Sequence, residues 1–269
     1  MTKELIARAR KIVIKFGSNT LAGSNGRINN MFLGEFAGQA AELIKEGKQI
    51  VIVSSGAQLA GLSAMDKWER KKDIHYRQAL CAVGQVLLMN AWEQAFAPRG
   101  IHIAQILLTR DDFADNTRTL NMRNTLFTLV DEGIVPIINE NDSVSVEEIK
   151  IGDNDTLAAQ SAILWSADLL ILFSDIDGLY DKNPREYPDA KLVEEVHDIA
   201  EARRSAITGT GGGNDGGAGK FGTGGIVTKL DAAEQVVSYG IPMILAQGRR
   251  KQPLYALASG AGQGTAFLV

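Results

Sequence analysis

Short apolar runs rich in β-branched residues alternate along the chain with longer stretches of helical periodicity. Residues 11–16 (KIVIKF), 49–54 (QIVIVS), 101–109, 134–139 (IVPIIN) and 168–174 (DLLILFS) read as strands. Between them, residues 30–46, 77–96, 119–132 and 155–166 read as helices, with Gly47, Pro98 and Gly133 as stop signals. A loop at 175–188 follows, then a helix near 199–207, a glycine-rich tract, a helix at 228–239, a strand at 241–246 and an edge strand at 267–269. The run at 168–174 is apolar at successive positions, which suits a parallel sheet covered on both faces. The alternation predicts an α/β fold: a three-layer αβα sandwich with a mainly parallel central sheet. Such sheets bind ligands outside the carboxyl ends of their strands. That rule selects Gly17-Ser18, Ser54-Ser55-Gly56, Thr109-Arg110-Asp111, residues 139–142 and Ser174-Asp175, all small or polar.

Composition narrows the class. A chain of 269 residues with 45% apolar and 22% charged residues can form one large soluble domain. With 28 basic and 32 acidic residues the net charge is −4, and no basic stripe argues for nucleic acid. The one cysteine, Cys81, cannot form an intrachain disulfide, which fits a reducing cytosol. Lys15 interrupts the first apolar run, so it does not read as a signal peptide. The stretch 157–173 contains Gln160, Ser161, Ser166 and Asp168 and does not read as a membrane span.

Several strand ends carry candidate chemistry. Gly17-Ser18 is equally an ordinary βα turn or a short loop whose N–H groups face a phosphate. Lys15 favours the second reading, because a lysine inside an apolar strand requires an anionic partner. Ser54-Ser55-Gly56-Ala57 repeats the pattern after the second strand, with a following helix able to aim its N–H groups at an anion. Asn139-Glu140-Asn141-Asp142 and Gly152-Asp153-Asn154-Asp155 together hold four acids and three amides at two loops. Part of this is helix capping. The rest can hold a ligand's ammonium group and orient lysines or Mg²⁺. Gly222-Thr223-Gly224-Gly225-Ile226-Val227-Thr228-Lys229 leads into a helix, either as an anion loop or as a linker. It is not a Walker A loop: the nearest match, at 214–221, lacks the first glycine and the Ser/Thr after lysine. His75, His102 and His197 lack metal-ligand spacing, so no protein metal site is assigned. Cys81 lies on an apolar helix and reads as packing.

Taken in order, KFGSNTL at Lys15, VIVSSGA at Val51, AVGQ at Ala82, INEND at Ile138, GDND at Gly152, FSDIDGLY at Phe173 and the glycine loop ending at Lys229 resemble the amino acid kinase superfamily, and within it the glutamate 5-kinases. The resemblance covers nearly the whole chain. It implies the amino acid kinase fold and transfer of the ATP γ-phosphoryl to the side-chain carboxylate of L-glutamate, at the start of proline synthesis. It implies one kinase domain over 1–269, with about 1–165 serving glutamate and about 166–269 serving ATP. Catalytic roles fall on Lys15, Lys229 and Asp155. Glutamate-binding roles fall on Ser55, Gly56, Ala57, Asn139, Asp142 and Asn154. ATP-binding roles fall on Lys15, Gly17, Ser18, Ser174, Asp175, Thr223, Gly224, Gly225, Ile226, Val227, Thr228 and Lys229. Mg²⁺ is implied, bound through the nucleotide phosphates. So are feedback inhibition by proline, a homo-oligomer and a cytoplasmic location.

Two features depart from the family pattern. Ile226 stands where methionine is usual, a volume-conserving exchange. The tract at 209–219 is longer and richer in glycine. Many members also carry a C-terminal PUA domain, whereas this chain stops at Val269.

The residues themselves fit phosphoryl transfer, which is chiefly positioning and charge stabilisation. A glutamate carboxylate is ionised near pH 7, with an ordinary pKa of about 4.3, and needs no general base. Other readings are an acetylglutamate- or uridylate-type kinase, or a catalytically silent amino-acid sensor on the same fold. Asp142 amid amides favours a substrate with a free ammonium group.

Overall fold

The computed structural model describes residues 1–65, 73–145, 154–182, 184, 186–208 and 225–269. The segments 66–72, 146–153 and 209–224 lie outside it, and with them Gly152, Asp153, Thr223, Gly224 and the glycine tract.

An eight-stranded sheet forms the middle layer, in the order β3-β4-β2-β1-β5-β7-β8-β6. Its strands are β1 (Lys11–Phe16), β2 (Gln49–Ser54), β3 (Ile103–Leu108), β4 (Val135–Glu140), β5 (Leu169–Ser174), β6 (Glu195–Val196), β7 (Met243–Gln247) and β8 (Gly264–Phe267). Neighbours from β3 to β7 run parallel, β8 lies antiparallel to β7, and β6 pairs parallel with β8. The last strand therefore starts before the expected 267–269 and is not at an edge. Two-residue β6 covers it, a pairing too short to leave a periodic signal in sequence.

The helices are α1 (Thr2–Arg8), α2 (Ser18–Leu21), α3 (Asn30–Lys45), α4 (Ala57–Met65), α5 (Ile74–Phe96), α6 (Arg110–Ala114), α7 (Asn116–Asp131), α8 (Asp155–Trp165), α9 (Ile199–Thr208), α10 (Ile226–Ser238) and α11 (Pro253–Ser259). Caps explain the helices that begin earlier than expected. Asp73 accepts from the His75 and Tyr76 amides at the start of α5, and Asp115 accepts from Arg118 N at the start of α7.

Strand alternation sorts the interior into two cores. Ile12, Ile14 and Phe16 of β1 pack with Leu33 and Phe36 of α3, Leu88 and Trp92 of α5, and Leu254 of α11. Val13 points the other way, with Val53, Leu172, Leu157 and Trp165 of α8, Leu126 of α7 and Leu230 of α10. The three layers expected from sequence are thus present. Chain leaving β1 and β2 enters helices on the first face, and chain leaving β4 and β5 leads to helices on the second. By the general rule for such sheets, this change of side puts the expected ligand position outside the carboxyl ends of these four strands. In the first core, Phe16 stacks on Phe173 with ring centroids 5.3 Å apart and meets Phe36 edge-on at 4.6 Å.

Candidate active site

Lys15 has the side-chain parity of Val13, so it faces the α8–α10 layer from the middle of the sheet, registered with Val53 of β2 and Leu172 of β5. Its Nζ donates to Asp155 Oδ1 at 2.5 Å. Asp155 opens α8 and is wholly buried. Its other oxygen, Oδ2, accepts from Lys229 Nζ at 2.9 Å and from Thr228 Oγ1 at 3.2 Å. Residues 140 and 74 positions away in sequence thus meet on one carboxylate. Both ammonium groups are buried and share this carboxylate. Thr228 Oγ1 also lies 3.0 Å from Gly225 O, so its one hydrogen is shared between that carbonyl and Asp155 at the first turn of α10. Ile226 and Val227 lie in that same turn. Gly17 lies on the other side of Lys15: a Cβ built there would be 3.7 Å from Lys15 Nζ. Ser18 begins α2 directly after it and is exposed.

On the β2–β4 side the site is made of amides. Asn154 Nδ2 donates to Ser55 Oγ at 3.0 Å and to Asn139 Oδ1 at 2.7 Å. Asn139 Nδ2 donates in turn to Gln85 Oε1 at 2.9 Å. All four side chains are buried. Ser55 is held by its own N–H, which donates to Phe16 O at 3.1 Å. Gly56 has φ +113°, a conformation that favours glycine, and turns the chain so that Ala57 starts α4.

Asp142 closes this side against α5. Gln78 Nε2 donates to its carbonyl oxygen at 3.2 Å, and the Cys81 thiol hydrogen-bonds its carboxylate. Burial pushes the Asp142 carboxyl up to about 6, although the Cys81 hydrogen bond and the charge of Arg77 both pull it down. Cys81 does pack in the core, as its apolar setting indicates, and it also touches the acid.

Helix α5 contributes Arg77, Gln78, Cys81 and Gln85, to three of which sequence reading gave no role. Their signal is a polar stripe at helical spacing inside an apolar stretch. The stripe reaches the site because α4 and α5 pack backbone to backbone. A Cβ at Gly84 would lie 1.8 Å from Ala57 O, and one at Gly61 2.0 Å from Leu80 O.

Ser174 and Asp175 end β5 on the opposite side of β1. Ser174 Oγ donates to Asp175 Oδ1 at 3.1 Å, Gly248 N donates to Ser174 O at 2.8 Å, and Gln247 Nε2 donates to Asp175 O at 3.0 Å. These hydrogen bonds join them to the end of β7. Among the described residues, no group of three or more His, Cys, Asp or Glu is arranged to hold a metal ion, and no helix is long and apolar enough to cross a membrane.

The chain and its fold have known counterparts. Residues 10–247 match the amino acid kinase family, and the chain belongs to it. Within that family it is 58% identical to the glutamate 5-kinase of Alkaliphilus metalliredigens (strain QYMF), over 99% of this chain and 98% of that protein. It is 43% identical to the glutamate 5-kinase of Treponema pallidum (strain Nichols), over 100% of this chain and 99% of that one. In fold it is similar to a carbamate kinase from Giardia lamblia bound to AMP-PNP, with a TM-score of 0.66 at 13% identity over 100% of this chain and 99% of that one.

Proposed function

We propose that the protein transfers the γ-phosphoryl group of ATP to the side-chain carboxylate of L-glutamate, giving γ-glutamyl phosphate and ADP. The observation that carries this reading is the buried Asp155 carboxylate shared by Lys15 and Lys229 beside an amide cluster with one acid. The glutamate 5-kinases that match over nearly their whole length support it.

A glutamate oxygen forms a bond to the γ-phosphorus while the bond to the β–γ bridging oxygen breaks, and ADP leaves with that electron pair. No proton has to be removed from the nucleophile. The difficulty is bringing a carboxylate to a polyanion. Lys15 and Lys229 offset the charge on the moving phosphoryl oxygens. Asp155 keeps both ammonium tips in place, so they need no reorganisation when the nucleotide arrives. Gly17, Ser18, Ser174, Asp175 and the loop from Thr223 to Lys229 hold the nucleotide, although Thr223 and Gly224 lie outside the described residues. Ser55, Gly56, Ala57, Asn139, Asp142 and Asn154 hold glutamate. This divides one domain into a glutamate part at about 1–165 and an ATP part at about 166–269.

The donor set fits magnesium carried by the nucleotide, since both Asp155 oxygens already meet ammonium groups. When bound on the phosphates, that ion adds positive charge at the transferred group. The same assignment makes proline a feedback inhibitor and the enzyme a cytoplasmic homo-oligomer of the proline pathway.

Incubating the protein with ATP, Mg²⁺, L-glutamate and hydroxylamine tests the reaction. A glutamyl hydroxamate with matching ADP is expected. Product only with N-acetylglutamate or UMP assigns another acceptor, and no glutamate-dependent ADP release at all marks a sensor.

A further inference from the structure

Four consecutive residues at the end of β7 and just beyond it, Gln247 to Arg250, reach two distant segments of the chain, and sequence reading gave them no role. Gln247 Nε2 donates to Asp175 O at 3.0 Å, and Gly248 N donates to Ser174 O at 2.8 Å. Arg250 Nη2 donates to Asp177 Oδ1 at 2.7 Å, in the loop after β5. Arg249 instead reaches α2. Its Nε donates to Asn19 O at 2.9 Å, and its Nη2 donates to the same oxygen, 230 positions away in sequence. A guanidinium carries only donors and a main-chain carbonyl only accepts, so the sense of this contact is fixed.

Helix α2 needs such a partner. It is a single turn of four residues, and a helix that short does not hold itself together in water. Inside the turn, Asn19 O is reached by Ala22 N only at 3.4 Å. An arginine beside a helix C-terminus satisfies carbonyls of this kind. Main-chain packing adds to the tie. A Cβ built at Gly248 would lie 2.5 Å from Thr20 Cγ2 and 2.9 Å from Phe173 Cβ. The chain at 248 is therefore wedged between α2 and β5 with no room for a side chain. Thr20 is buried and β-branched, so it does not easily yield. Helix α2 starts at Ser18 directly after Gly17, and β5 ends at Ser174. The two segments read as nucleotide-binding are thus joined through residues 247–249.

We propose that Arg249 is a positioning residue for the nucleotide site: it fixes α2, and with it the Gly17-Ser18 turn, against the end of β5. Arg249 touches no nucleotide in this assignment. It acts through Asn19 and the turn to which Asn19 belongs. Its side chain is exposed, so its hydrogen bonds are of modest strength and replacing it leaves both cores intact. The inference rests on the reading of Gly17-Ser18 and Ser174-Asp175 as nucleotide-binding residues.

Two variants of the intact protein test it. Arg249→Met keeps most of the stem and removes every donor; Arg249→Lys keeps the charge and one donor group. Calorimetric titration with ATP and Mg²⁺, without glutamate, reads nucleotide affinity. Amide hydrogen exchange over residues 17–22 reads the order of α2, and steady-state kinetics give the glutamate KM. Arg249→Met is expected to weaken ATP binding about fivefold, to speed exchange over 17–22 about threefold, and to leave the glutamate KM within about twofold. Arg249→Lys is expected to fall between Arg249→Met and the wild type in both affinity and exchange. Wild-type ATP affinity in Arg249→Met overturns the proposal. So does weakened ATP binding with wild-type exchange, which would make Arg249 a direct nucleotide contact. An equal rise in the glutamate KM also overturns it, because the damage would then be general. If Arg249→Met does not fold, Arg249→Lys decides alone: wild-type affinity or wild-type exchange in that variant overturns the proposal. The wild-type control separates the two levels. A wild type that binds ATP, alongside an adverse result in the variants, refutes only the role of Arg249, whereas a wild type that does not bind ATP refutes the nucleotide reading and this inference with it.

Discussion

Around Asp155 the site is built of full charges, whereas around Asn139 it is built of neutral amides ending on Gln85. The two halves sit on either side of the same strand ends and solve different problems. An ammonium group donates in three directions and its attraction falls off slowly, so Lys15 and Lys229 tolerate small changes in orientation. An amide has one accepting end and one donating end, so what Asn154 and Asn139 offer a ligand depends on their orientation. The charged half should fail when charge is lost, and the amide half when orientation is lost. Kinetics can separate these failures.

The largest expected effect is in the charged half. Lys15→Ala or Lys229→Ala should lower kcat by about a thousandfold, the scale of losing a preorganised charge at the transition state. The glutamate KM should change by less than about threefold. Steady-state kinetics with kcat unchanged in both variants would remove the contrast.

Next comes the acid of the amide half. Asp142→Ala should raise the glutamate KM by roughly ten- to a hundredfold, as for loss of a charged hydrogen-bond partner, with a much smaller effect on kcat. A wild-type KM would show that the ammonium group sits elsewhere.

Third, Gly84→Ala should cost about 2 kcal/mol, because the new methyl group would meet the Ala57 carbonyl oxygen and force α4 and α5 apart. A melting temperature lowered by several degrees, together with a raised glutamate KM, is the expected pattern. A drop in stability alone would separate helix packing from substrate recognition.

The smallest effect is a pH dependence. The Asp142 carboxyl has its pKa raised from an ordinary 3.8 to about 6, chiefly by burial. The proposed ammonium site therefore loses its negative charge as pH falls through 6. Between pH 7.5 and 5.5 the glutamate KM should rise about fourfold, and Asp142→Asn should flatten that profile. Stability moves in the other sense. A folded pKa above the unfolded value stabilises the fold fully below about 4, and that contribution is lost as pH rises through about 6. Chemical denaturation of wild type and Asp142→Asn at pH 5 and pH 8 reads this directly, with the variant gaining most at pH 8.

The charged half was the more legible in sequence. A lysine in KIVIKF is conspicuous, since every neighbour is apolar and its burial demands an anion. Asp155 opens a helix directly after Asn154, and Lys229 lies one turn into a helix that follows Gly225, where such signals are local. Gln85 has no such contrast. Within LCAVGQVLL it resembles an ordinary polar position on a helix, and only the close approach of α4 at Gly84 shows that it is buried. The main strands were readable from their β-branched runs. The short α1 and α11 were not, because a few residues of mixed polarity carry little periodicity. Strand β8 was misplaced for a related reason: its pairing with β6 is decided by tertiary contact.

The alternation along β1 has a consequence for how this chain tolerates change. Ile14 and Phe16 belong to one core, while Val13 and the cation at position 15 belong to the opposite side. Deleting a single residue between Lys11 and Lys15 would exchange the two sets. The ammonium group would then be driven into the layer of phenylalanines, and an isoleucine or phenylalanine would arrive at the proposed phosphate site. Indels in this hexapeptide should therefore abolish folding and catalysis together, while point changes that keep its rhythm remain open to engineering.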